Sequence, residues 1–176
     1  MKKVLALLLA VMMLLVSVSA LAEGSKRWED IPHGETDDDN VGLKKADDND
    51  RTSEIKKKIL DHGKDGNPVD GLPDEIRDKL PEGFTVINDF DTYLLDGNPD
   101  ESDDEVEMIF KFATPYKEGE QVMLAVCIVP PEDEVEWLLW EGTGMADGAV
   151  RVMVAREDLQ KISDNPFVVI PVSSGE

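Results

Sequence analysis

The chain has 176 residues, with 39 Asp or Glu against 18 Lys or Arg and a formal charge of −21 at neutral pH. Nucleic acids and anionic membranes are bound mainly through Lys and Arg, so so acidic a surface excludes both from the expected partners. A single cysteine rules out an intramolecular disulfide.

The chain opens MKKVLALLLAVMMLLVSVSALAEG. Lys2 and Lys3 make a basic start, Val4 to Val16 an unbroken apolar run, and Ala20-Leu21-Ala22 a small-x-small site before Glu23. This order predicts a secretory signal peptide over residues 1–22, cleaved before Glu23, and hence a secreted, extracellular product. The alternative is a retained anchor. Against it, the apolar run is shorter than the roughly 20 residues that span a bilayer, so no membrane insertion is expected after cleavage.

Residues 23–51 are dense in charge and poor in apolar side chains. Such a segment buries too little surface to offset chain entropy and reads as an acidic, disordered tether, with Trp28 and Ile31 as its exceptions. Residues 52–82 read as a helical segment. TSEIKKKILDHG has Ser53 as N-cap, Ile55, Ile59 and Leu60 as its apolar residues and Gly63 as stop, while LPDEIRDKLPEG starts at Pro73 and ends before Pro81 with Ile76 and Leu80 on one face. Neither helix is long enough to be stable alone, so both need a surface to lie on.

After Gly83 the apolar period changes from helical to strand-like. Six strands are predicted over 84–95, 105–112, 121–129, 135–141, 149–155 and 167–172, with REDLQKI as a short helical insertion before the last. Short strands at this spacing predict a mainly β fold, a small antiparallel immunoglobulin-like β-sandwich over 83–174 with the two helices packed on one face. A small open barrel is the alternative that pattern does not separate from it.

The stretch EWLLWEGTG carries Trp137 and Trp140 three residues apart. An odd spacing on a strand sends them to opposite faces. QVMLAVCIV and VEWLLW are both apolar on both faces, Trp137 and Leu139 lying opposite Leu138 and Trp140, so these are expected to be central strands whose outer faces are also covered. The helical segment is the nearest source of that cover; a partner protein or a sugar stacked on an exposed indole are the others. Trp137 and Trp140 are therefore the candidate contact residues.

Chemistry has few carriers. Cys127 lies in an apolar run, where a thiol behaves as a small hydrophobe. His33 falls in the tether, and His62 near a helix end reads as a dipole partner. One Cys and two distant His build no zinc site, and EGTGMADG lacks the Lys and following helix of a phosphate loop. Carboxylate pairs abound in a chain this acidic without specifying a catalytic cleft. No catalytic residue and no cofactor are expected. Calcium is the one metal with a candidate: DGNPDESDDEVE places Asp96, Asn98, Asp100, Ser102, Asp104 and Glu107 at the ligand positions of an EF-hand-like loop. Against it, Glu101 stands where that loop needs glycine, and the flanks read as strands.

From Thr114 to Ser174 four features recur together: the YxxGxxV spacing of Tyr116, Gly119 and Val122, a Trp after the acidic turn PPEDE, the DGxVxV run from Asp147 to Val152, and DLxxI from Asp158 to Ile162. The run resembles immunoglobulin-like β-sandwich accessory domains of uncharacterised secreted proteins of Gram-positive bacteria. That resemblance implies a secreted β-sandwich accessory domain and assigns no activity to any residue. The expected function is non-catalytic interaction with a protein or cell-envelope polymer. A carbohydrate-binding module and a small secreted hydrolase are the alternatives.

Overall fold

The computed structural model describes residues 34–65, 67–86 and 89–174; the expected signal peptide, Trp28 and His33 lie outside them. In chain order the elements are β1 (Gly34–Thr36), β2 (Val41–Lys45), α1 (Asp50–Asp65), a 3-10 turn at Pro68–Gly71, α2 (Asp74–Arg77), β3 (Thr85–Val86) and β4 (Asp91–Gly97). A second 3-10 turn at Pro99–Glu101 leads to β5 (Glu105–Phe110), β6 (Gln121–Ile128), β7 (Glu136–Gly144), β8 (Val150–Ala155), α3 (Arg156–Ile162) and β9 (Phe167–Ser173). The protein is mainly β. Its described strands join one antiparallel sheet in the order β1-β5-β8-β7-β6-β9-β4-β2, with β3 beside β9.

The two ends of that order, β1 and β2, are consecutive in the chain and linked by the short turn 37–40. The turn therefore draws the sheet's edges together, since a few residues reach only a few times 3.6 Å. Thr36 Oγ1 donates to Val41 O at 2.7 Å across it. Asn98 N donates to Asn40 O at 2.9 Å, Asp103 N to Asp38 Oδ2 at 2.9 Å and Glu107 N to Asp37 Oδ1 at 2.8 Å. The N–H groups of Asp103 and Asn40 hold the Asp38 carboxyl below its usual range. The result is one nearly closed sheet rather than the two separate sheets of the expected sandwich.

Several boundaries differ from the sequence expectation, each for a local reason. The tether expected to 51 contains β1 and β2. Val41 is buried and Leu43 packs on the core, while the other residues of these strands gain backbone partners in β4 and β5. The first helix starts before Ser53 because Asn49 caps it: Thr52 N donates to Asn49 Oδ1 at 2.9 Å, and Asn49 N to Thr52 Oγ1 at 2.8 Å. The second helix is a single turn, too short to propagate in a segment framed by Pro73 and Pro81. β7 continues through Gly142 and Gly144, which read as turn residues. A Cβ on Gly142 would lie 2.7 Å from Val150 Cγ1, and one on Gly144 2.1 Å from Lys117 O, so these glycines serve close approach of neighbouring chain.

Inside the sheet, alternate residues of β5, β6, β7, β8 and β9 make a core with an aromatic column. Phe110 stands between Tyr93, at 5.3 Å edge-on, and Trp140, at 6.3 Å; Trp140 in turn meets Phe167 edge-on at 6.5 Å. Leu159 and Ile162 of α3 complete this core. A second cluster lies outside the sheet, where Ile59 of α1, Leu72 just after the first 3-10 turn and Ile76 of α2 pack on Met123, Ala125, Cys127, Val168, Ile170 and Val172. Gly71 allows the approach, since its Cβ would sit 2.8 Å from Ile59 Cα. Leu60, expected on the buried side, is 38% exposed.

Candidate functional site

Register decides where the two indoles go. Trp140 pairs with Leu124 and Trp137 with Cys127 across β6 and β7. Trp140 and Leu124 belong to the interior core, whereas Trp137 and Cys127 belong to the outer cluster. Trp140 is 4% exposed. Its Nε1 donates to Asp158 Oδ2 at 2.9 Å, so the indole N–H that burial would otherwise strand has a carboxylate partner. Trp137 is half-buried and only partly packed against the helical segment.

Trp137 lines an open groove of about 560 Å³, with Leu139 and Glu141 beside it on β7, Lys79 beyond α2 and Asp158 and Lys161 on α3. Lys161 Nζ lies 3.5 Å from Glu136 Oε1 and 3.5 Å from Asp158 Oδ1. Partial burial works against the charged lysine, but the two carboxylates outweigh it and raise its pKa. Asp158 thus ties the interior Trp140 to the cation at the groove's rim. Among the described residues, Lys79 and Glu141 make no ion pair. The preceding turn is pinned by Arg51, which donates to Pro130 O and, at 2.7 Å, to Asp133 O. It carries the exposed Glu132, Asp133 and Glu134 toward the start of β7.

The other sequence candidates fall elsewhere. Asp96 pairs with Lys44 at 2.5 Å, Asp100 accepts from Gln160 at 2.7 Å, Asp104 pairs with Arg156 at 3.1 Å and Glu107 with Arg151 at 3.7 Å. Asn98 Oδ1 caps the 3-10 turn through Asp100 N at 3.2 Å, and Ser102 Oγ donates to Pro99 O at 2.8 Å. The six do not converge on one point, and no cluster of three or more metal-ligating side chains occurs among the described residues. Cys127 is fully buried under the helical segment, and burial, outweighing the nearby Arg51 charge, pushes its thiol up to about 12. His62 sits exposed in the last turn of α1. No described helix is long and apolar enough to cross a membrane.

Sequence reasoning found Trp137 but not Lys79, Glu141, Asp158 or Lys161. The i, i+3 pair Asp158 and Lys161 in REDLQKI is a signal of one charged helix face, yet nothing local says that α3 folds back to β7. The fold and groove together define the class, a nearly closed single-sheet β protein with a polar-rimmed groove beside one outward tryptophan. Comparison of the chain with protein-family models, curated proteins and solved structures gives no match.

Proposed function

We propose that this is a non-catalytic binding protein that acts outside the cell through the groove beside Trp137. One observation carries the reading: Trp137 is a large outward aromatic side chain left half-buried in the groove, whereas Cys127, Ala125 and Met123 on the same outer face are buried. Aromatic residues in such settings commonly anchor interfaces, because one rigid side chain supplies much contact area at small entropic cost. The signal-like N-terminus and the resemblance to secreted accessory domains support the extracellular setting. A protein partner is favoured because both charge signs line the groove, as they do around polar interface rims.

The test of the site is Trp137→Ala in the secreted protein, assayed for retention on the producing cell's envelope fraction and on its extracellular proteins. Loss of retention with an unchanged melting temperature supports the reading; equal retention sinks it. The test of export is the N-terminal sequence of protein recovered from the medium, expected to begin at Glu23. A carbohydrate partner is the second reading, supported by the same outward indole as a stacking surface. Glycan-array binding abolished by Trp137→Ala would move the reading there.

A further inference from the structure

The same groove holds a second feature, an unpaired length of strand edge. β7 pairs with β6 from Glu136 to Thr143, but with β8 only from Gly142 to Gly144. Gly144 N donates to Glu120 O at 2.8 Å, on the β6 side, and Met145 N donates to Ala149 O at 2.8 Å, on the β8 side. Backbone direction alternates along a strand. The N–H and C=O groups of Leu138 and Trp140 therefore face β6, and those of Trp137, Leu139 and Glu141 face away from it. The β7–β8 register ends at Gly142 and Val152, and β8 runs on to Ala155 paired with β5 alone. Among the described residues no strand is registered with Trp137 and Leu139 on that side, whereas the Gly142–Val152 pair is closed by a bond to the Glu141 carbonyl. Unpaired edge groups of this kind are templates for another strand.

We propose that the β7 edge at Trp137 and Leu139 binds an extended, basic segment of a partner protein by strand addition. This rests on the groove reading above and names its partner chemistry. Three observations select the occupant. A row of unpaired amides and carbonyls at strand spacing matches a peptide backbone, which sugars do not present. Trp137 and Leu139, two residues apart on the outer face, set apolar partners at alternate peptide positions, because cross-strand neighbours on one face lie about 5 Å apart. Charge selects the remaining positions: Glu132, Asp133 and Glu134 flank one end and Glu141 the other, outnumbering the groove's Lys79 and Lys161, the latter already paired with Glu136 and Asp158, within a chain of net charge −21. The same charge opposes a second copy of this chain as the occupant.

The experiment is an NMR titration of the isotopically labelled full chain with a synthetic heptapeptide of alternating Val and Lys. Its controls are the same peptide N-methylated on one alternate set of amides, on the other set, and a Val–Glu version. Binding is expected to move the amides of Trp137 and Leu139 and slow their exchange, leaving those of Leu138 and Trp140 in place. One methylated peptide and the Val–Glu peptide should bind about tenfold or more weakly, a loss of about 1.4 kcal/mol, while the other methylated peptide binds like the parent. Leu139→Pro removes one N–H from the open edge and should weaken binding similarly. Should that variant unfold, the methylated-peptide comparison on the unsubstituted protein stands alone. If both methylated peptides bind as the parent does and still shift the Trp137 indole signal, strand addition is wrong and the groove remains a binding site. If no peptide moves the two edge amides, strand addition is wrong too, and the Trp137→Ala retention assay decides the groove independently.

Discussion

Trp140 inside the sheet and Asp158 on α3 are joined by a 2.9 Å hydrogen bond from Nε1 to Oδ2. The bond satisfies a buried donor and holds α3 against the strand that carries the groove. Asp158→Ala is expected to lower stability by about 1–3 kcal/mol, the usual cost of leaving a buried polar group unpaired. Asp158→Asn keeps an acceptor and should lose clearly less. Urea unfolding of the three proteins checks this, and equal stability of Asp158→Ala and the parent would remove the bond's structural role.

The closure of the sheet can be tested at a glycine. Gly97 has φ +104° and lies opposite Val41; a Cβ there would sit 2.0 Å from Asn40 O, in the turn that links the two sheet edges. Gly83 has φ +85° and open space around it. Gly83→Ala is expected to cost about 1 kcal/mol, for left-handed backbone alone. Gly97→Ala adds a backbone collision and should cost about 3 kcal/mol or more. Similar melting temperatures for the two variants would contradict the described seam.

Cys127 should be chemically silent in the folded protein. Burial keeps the thiol protonated up to about 12 and also blocks access, and the thiolate is the reactive form. Iodoacetamide at pH 8 is expected to leave the native protein unmodified over hours and to label it fully in concentrated urea. Rapid native labelling would mean that the helical segment opens readily from the outer face of β6.

Asp48 links the start of α1 to the sheet. It accepts from Lys56 Nζ at 2.7 Å and from the buried Thr92 hydroxyl. Partial burial raises its pKa, but the hydrogen bonds from Lys56 and Thr92 and the Lys56 charge outweigh it, so the folded value lies below the ordinary value of 3.8. A depressed carboxylate pKa contributes stability that is present above 3.8 and lost as pH falls through the folded value. The effect is small, because the Asp48 side chain is 38% exposed and solvent screens the pair. Asp48→Asn is expected to be slightly less stable at pH 7 and to lose less stability than the parent between pH 4 and 2. Parallel acid limbs in urea titrations would refute this assignment.

Strand content and facing were legible in the sequence because a strand's side chains alternate with period two regardless of its neighbours. The doubly apolar QVMLAVCIV and VEWLLW marked β6 and β7 as covered on both sides, and the spacing of Trp137 and Trp140 placed the indoles on opposite faces. Which indole faces the interior is a tertiary outcome, set by the closure of the sheet. Closure depends on β1 and β2, polar segments whose pairing with β5 and β4 spans 72 to 76 and 48 to 56 residues of chain respectively. Their hydrogen bonds are made by backbone, which every residue possesses, so composition carried no sign of them and pointed to a tether instead. The groove has the same origin. Trp137 was visible as a residue, but its open edge exists because the pairing of β7 with β8 stops at Gly142 and α3 returns beside it.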